Sequence, residues 1–136
     1  MHGKRKFIIA LLVLSCLLFN ACGKKSLESK ISDLNHVKSI SVTMRPPEST
    51  IELSEEQIDE VVNILKKVTI GQKDDSYREL NGQWVEYDIT YKDGSSISVA
   101  SFNPYIVIDG VGYETAYEAC EELNSYANSL LEGDES

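Results

Sequence analysis

Two segments of alternating apolar and polar side chains flank an Asp-Gly pair, and this arrangement constrains the fold more than any other feature of the sequence. The segments are Trp84–Tyr91 and Ser96–Phe102, and the pair is Asp93-Gly94. Strict alternation is typical of a β-strand with one buried face, and Asp-Gly is a frequent hairpin turn. The sequence therefore predicts an antiparallel hairpin here.

The register of this hairpin follows from its aliphatic side chains. A two-residue turn would place Ile89 opposite Ser98. The aliphatic side chains of the two strands would then lie on opposite faces of the sheet. A three-residue turn over 92–94, with Gly94 at positive φ, places Ile89 opposite Ile97 instead. Because a shift of one residue moves every side chain to the wrong face, we predict the three-residue turn.

Two other stretches have the periodicity of helices. The first begins after Ser54, because Ser54 and Gln57 have the spacing of a capping box, and it is expected to end by Gly71. The second covers 114–131, where apolar residues recur at steps of four and three.

The remaining segments complete the predicted fold. Strands are expected at 38–44 and 105–109, a short extended piece at 50–53 and a polar loop at 71–83. The order is a strand, a helix, a three-stranded meander and a C-terminal helix. We therefore predict an α+β fold, in which a mostly antiparallel sheet carries both helices on one face.

The N-terminal segment has the features of an export signal. Lys4, Arg5 and Lys6 precede an apolar run over 7–19. A membrane-spanning helix needs roughly 20 residues, so this run is too short to be a permanent span. A positive start followed by a short apolar run is typical of a secretory signal peptide.

The run ends in Asn20-Ala21-Cys22-Gly23, which resembles the lipobox of bacterial prolipoproteins. The class pattern is Leu, a small residue, Gly or Ala, and then Cys. Ala21 and Cys22 fit this pattern, whereas Phe19 and Asn20 depart from it. At the level of class, the whole chain resembles the small lipoproteins of Gram-positive bacteria. Within residues 24–136 we find no resemblance to a characterised family.

The resemblance implies that 1–21 is a signal peptide removed before Cys22, and that acyl chains on Cys22, palmitate among them, anchor the protein to the extracytoplasmic face of the cell membrane. Two or three chains anchor durably, since each buried CH₂ contributes ~0.8 kcal/mol. The alternative is a secreted protein that is cleaved near Ala21 and has a free Cys22.

The lipobox also sets the expected domain organisation. Residues 22–35 are expected to be the lipidated cysteine and a polar tether, although their apolar residues have a spacing that would suit a short amphipathic helix. A single α+β domain over 36–132 is long enough for one modest core, and 133–136 forms an acidic tail.

The charge disfavours one class of partner. The chain has a formal net charge of −9 at pH 7. Without Lys4, Arg5 and Lys6 of the leader, the chain has 10 basic and 22 acidic residues. Because a net charge of −12 repels phosphate backbones, we expect no nucleic-acid partner.

Candidate catalytic groups are few. After the leader the sequence has one histidine, His36, which we expect at the surface. Cys120 lies on the apolar stripe of the last helix, where burial would make its thiol inert. The sequence contains neither metal-ligand spacings of His and Cys nor a phosphate-binding glycine loop, so we expect no metal and no cofactor.

We therefore expect a binding domain without catalysis, whose partner is another envelope or secreted protein. Two alternatives stay open. One is an immunity-type or structural envelope lipoprotein. The other is a small hydrolase or metal-dependent enzyme using Glu86 and Asp88, which share one face of a strand.

Three aromatic residues stand out, because their strand parity groups them with polar neighbours. Trp84, Phe102 and Tyr105 are predicted to cluster on the sheet face opposite the helices, with Trp84 across from Phe102 and Phe102 beside Tyr105. The cluster is either an interaction face for a partner or a small second core beneath 26–35 or 71–83.

Overall fold

Antiparallel pairing organises the chain into one eight-stranded sheet. The structure is a computed structural model, and it describes residues 25–134. The leader and Cys22 lie outside the described residues. In chain order the strands are β1 (Lys25–Ser26), β2 (Val37–Arg45), β3 (Ser49–Glu52), β4 (Thr69–Lys73), β5 (Trp84–Tyr91), β6 (Ser96–Phe102), β7 (Tyr105–Ile108) and β8 (Val111–Thr115).

The strand order across the sheet is β1-β4-β8-β7-β6-β5-β2-β3, so β1 and β3 are the two edges. Two helices, α1 (Glu55–Lys67) and α2 (Tyr117–Asp134), pack on one face. The predicted α+β fold is confirmed. Within the described residues, no helix is long and apolar enough to cross a membrane.

The main core lies between this inner face and the helices. Alternate residues of β2, β5 and β6 point into it, and the helices contribute Leu65 and Leu123 among others. Tyr87 is fully buried there, and its hydroxyl donates a 2.6 Å hydrogen bond to the Leu123 carbonyl oxygen. This bond satisfies a polar group that would otherwise be costly to bury.

The predicted hairpin and its register are confirmed. Ile89 pairs with Ile97, and the Gly94 amide donates to the Tyr91 carbonyl oxygen at 3.0 Å. Gly94 has a φ of 90°, and the Asp93 carboxylate closes the turn by accepting from the Ser95 amide at 2.9 Å.

Replacing Gly94 with valine should therefore lower the free energy of unfolding by about 1–2 kcal/mol, because L-residues are strained at positive φ. A Cβ at this position would meet no atom within 4 Å outside the two neighbouring residues, so the expected cost comes from backbone strain. Urea denaturation measures the change. Gly94→Asn should cost less, because asparagine tolerates this conformation. Equal stabilities of the valine variant and the parent would contradict the turn.

Two segments, which form β4 and β8, differ from expectation. Helix α1 ends at Lys67, before Gly71, and β4 follows at once. Residues 111–115 form β8, so the last helix begins at Tyr117 instead of at 114. These segments gain their backbone hydrogen bonds from distant strands, and neither shows clear local alternation.

The tether expected over 22–35 is corrected from Lys25 onwards. Leu27 and Leu34 are 0% and 2% exposed in the main core, and the Leu27 amide donates to the Val68 carbonyl oxygen at 2.9 Å. The domain therefore includes the described residues from Lys25 onwards, upstream of the predicted boundary at 36. Burial of the leucines against α1 fixes two 3-10 turns, Leu27–Ser29 and Leu34–His36, in place of an amphipathic helix.

Candidate interaction face

The sheet face opposite the helices, here called the outer face, has an apolar half and a polar half. Strand pairing brings the apolar residues together on β5 to β7: Trp84, Ala100, Phe102 and Val107. The polar residues lie on β2, β5 and β6 and are mostly half-buried: Ser39, Ser41, Thr43, Glu86, Asp88, Thr90 and Ser98.

The structure brings the three predicted aromatic residues together. The rings of Trp84 and Phe102 are 5.8 Å apart between centroids, and Phe102 pairs with Tyr105 across the turn between β6 and β7. The predicted arrangement of the cluster on the outer face is thus present. A fourth ring joins it, since Tyr77 lies 5.9 Å from Trp84.

Residues 74–83, here called the strap, cover this cluster. A 3-10 turn at Ser76–Glu79 carries Tyr77 over the face. Beneath it Phe102 and Val107 are only 7% and 2% exposed, although neither belongs to the main core. The cluster therefore forms a small second core, while Trp84 and Tyr105 stay half-buried.

Hydrogen bonds fasten the strap to β8 and to the turn before it. The Asp74 amide donates to the Gly112 carbonyl oxygen at 2.8 Å, and the Gly112 amide donates to the Asp75 carboxylate at 2.9 Å. The Tyr77 hydroxyl donates to the carbonyl oxygen of Gly110 at 2.7 Å. The sequence analysis left open that 71–83 covers the cluster, but it did not identify these hydrogen bonds; the one signal for them was a lone tyrosine inside a polar loop.

Gly112 makes the close approach of the strap possible. A Cβ there would collide with the Asp74 carbonyl oxygen and lie 2.7 Å from the Tyr77 ring. Gly112→Ala should therefore lower the free energy of unfolding by about 1–3 kcal/mol, the usual cost of overpacking. Gly71→Ala is the matched control, because a Cβ there meets Glu114 at an ordinary 3.6 Å. Equal unfolding midpoints for the two variants would contradict the attachment.

The two carboxylates of the enzyme alternative lie on the polar half. Glu86 accepts a 2.9 Å hydrogen bond from the Ser98 hydroxyl. Burial raises the pKa of Asp88, the neighbouring Glu86 carboxylate adds to this effect, and Arg45 opposes it. Within residues 25–134, no three His, Cys, Asp or Glu side chains are grouped so that they could hold a metal ion.

The histidine and the cysteine lie apart from these carboxylates. His36 is exposed, as predicted, and its Nδ1 is 3.4 Å from an Asp33 carboxylate oxygen. Cys120 is fully buried on α2, as predicted, and its thiol lies 3.4 Å from the Tyr105 carbonyl oxygen. Burial raises the pKa of the Cys120 thiol.

The Cys120 thiol should therefore react slowly with a thiol reagent in the native domain at neutral pH, because a raised pKa lowers the thiolate fraction and burial blocks access. Ser125→Cys supplies an exposed thiol on the same helix as the control, and it should be labelled at once. Equally rapid labelling of Cys120 without denaturant would show the prediction to be wrong.

Comparison of this chain with protein-family models, with curated proteins and with solved structures gives no significant match.

Proposed function

We propose that this protein is a membrane-anchored extracytoplasmic lipoprotein, whose folded domain is a non-catalytic binding module at the bacterial cell envelope. The feature that supports the anchor is the junction Asn20-Ala21-Cys22-Gly23 at the end of the apolar run over 7–19, which resembles a lipobox. The first described strand begins at Lys25, three residues after Cys22. The described part of the domain therefore starts close to the proposed anchor.

The described domain is held together without disulfides. Cys120 is a free cysteine in the interior, so the described residues are held by packing and hydrogen bonds. The second core adds to this packing, because Tyr77 and Trp84 fix the strap onto the sheet. Exported domains without disulfides depend on such packing.

The polar half of the outer face is the surface we assign to the partner. The strap covers the apolar half, and the half-buried carboxylates Glu86 and Asp88 lie beside it. Carboxylates and hydroxyls on this sheet face complement a protein segment that carries Lys or Arg. The partner we propose is another envelope or secreted protein with such a basic segment.

The arrangement of titratable groups supports binding over hydrolysis. His36 precedes β2, and Val37 pairs with Tyr91 at the far end of β5. Five residue steps along β5 separate Tyr91 from Glu86, or about 17 Å. A histidine at that distance cannot exchange a proton with the carboxylate in one step.

Whole cells treated with an added protease test the proposed side of the membrane. The domain should be digested in intact cells, and it should otherwise fractionate with the membrane. A domain that is protected until the cells are lysed would contradict the proposal.

A photo-crosslinking residue tests the proposed surface in the same cells. A crosslinker at Ser41 on the outer face should give a discrete adduct with another protein, and one at Asp59 on the exposed side of α1 should not. Glu86→Lys with Asp88→Lys should abolish the Ser41 adduct through charge repulsion. Equal adducts at both positions, or no adduct at Ser41, would contradict this surface.

A further inference from the structure

The chain enters the sheet at its β1 edge, and this edge is the part of the described fold that follows Cys22 most closely in the sequence. We infer, on the basis of the anchor proposed at Cys22, that the β1 edge of the sheet lies against the lipid headgroups and that the β3 edge points away from them. The domain is then held in one orientation on the membrane surface.

The chain between the proposed anchor and the described fold is short. Three Cα–Cα steps join Cys22 to Lys25, and they span at most ~11 Å when fully extended. The headgroup region of one leaflet is itself roughly 5–8 Å thick. A lipid on Cys22 therefore holds Lys25 at or just above the headgroups.

β1 is firmly attached to the sheet. β1 pairs with β4, and burial of Leu27 directly after it fixes the strand in place. The pairing is antiparallel, so the upstream end of β1 points toward Lys73, at the end of β4. The edge formed by β1 and Lys73 is thus the part of the sheet nearest the anchor.

The two edges of the sheet lie far apart. β1 and β3 are the outermost of eight strands. Seven strand spacings of ~4.8 Å separate them, which is on the order of 30 Å across a twisted sheet. An anchor reach of ~11 Å therefore fixes only the β1 edge at the headgroups. The charge of the β3 edge decides whether that edge approaches them.

The distribution of charge favours the same orientation. At the β1 edge four exposed lysines lie near six acidic residues, so the local net charge is −2: Lys25, Lys30, Lys67 and Lys73 against Glu28, Asp74, Asp75, Glu114, Glu118 and Glu122. Around β3 and the start of α1, Arg45 is outnumbered by six acidic residues: Glu48, Glu52, Glu55, Glu56, Asp59 and Glu60. An anionic lipid surface repels the second region more strongly, within a Debye length of ~10 Å.

Depth-dependent fluorescence quenching of the acylated full chain tests this orientation. A fluorophore is attached to Lys73→Cys or, as the matched control, to Glu52→Cys on β3. The protein is reconstituted in vesicles of phosphatidylcholine and phosphatidylglycerol that contain a lipid with a nitroxide on its headgroup. We expect strong quenching at Lys73→Cys and unchanged fluorescence at Glu52→Cys. Equal quenching, or the reverse order, would overturn the orientation.

Flotation of the same vesicles separates this inference from the proposed function. Protein that floats while both sites are quenched equally keeps its anchor but has no fixed orientation. Protein that does not float has no anchor, and both proposals fail.

A spacer variant tests whether the short connection causes the orientation. A Gly/Ser insert of about ten residues after Gly23 adds an r.m.s. span of roughly 17 Å. Flotation should stay unchanged, while quenching at Lys73→Cys should fall. Full quenching in the spacer variant would overturn the argument from chain length.

Discussion

Replacing Cys22 with serine should leave a precursor that retains residues 1–21 and carries no acyl chain. The thioether that the lipobox resemblance implies needs the Cys22 sulfur, and serine offers only a hydroxyl. Without acyl chains the protein loses ~0.8 kcal/mol of membrane affinity for each CH₂ that was buried. Electrophoretic mobility and partition into detergent measure the two effects.

The leader supplies a matched control for this variant. Cys16 is also a cysteine of the N-terminal segment, but it lies inside the apolar run. Cys16→Ala should be processed and anchored like the parent. A Cys22→Ser protein that is cleaved and enters detergent as the parent does would contradict the anchor.

Trp84→Ala should lower the free energy of unfolding by about 3 kcal/mol, the lower end of the range for large aromatic deletions. The lower end applies because Trp84 is half-buried. Its ring lies between those of Tyr77 and Phe102, at 5.9 and 5.8 Å. Removing it would leave a void between the strap and the sheet. Urea denaturation followed by circular dichroism measures the loss without relying on tryptophan fluorescence.

Leu80→Ala is the control for this second core. Leu80 belongs to the same strap but is 46% exposed, so its truncation should change stability by less than about 0.5 kcal/mol. If Trp84→Ala is as mild as Leu80→Ala, the aromatic cluster does not stabilise the fold. Loss of the Ser41 crosslink in a fully stable Trp84→Ala protein would then identify the cluster as part of the partner surface.

The parts of the fold that sequence predicts correctly are those whose information is local. The hairpin register needs only the alternation around Gly94. The start of α1 needs only Ser54 and Gln57, whose reciprocal capping bonds are both formed, at 2.9 and 3.3 Å. In each case the residues that decide the structure lie within a few positions of one another.

The parts that sequence reasoning missed depend on distant partners. β4 is a strand because it pairs with β8 on one side and β1 on the other, and the three strands span residues 25 to 115. Leu27 is buried because the sheet extends to β1. An interpretation of this segment as a tether does not allow for a strand there. Such pairings leave no local periodicity from which they could be inferred.

The outer face shows the same difference between local and long-range information. Strand parity placed Trp84 and Phe102 together on the outer face, because parity is a local property. The cover over them required Tyr77 to reach across to the Gly110 carbonyl oxygen, 33 positions further along the chain. The sequence left the choice between a surface and a second core open for this reason.

Mass spectrometry of the mature N-terminal peptide, purified from the membrane fraction, tests the central claim most directly. The account predicts that the chain begins at Cys22 and that this residue carries the mass of a diacylglyceryl group, with or without a third acyl chain on its amine. A mature chain that retains residues 1–21, or one that begins at Cys22 with an unmodified thiol, would contradict the account.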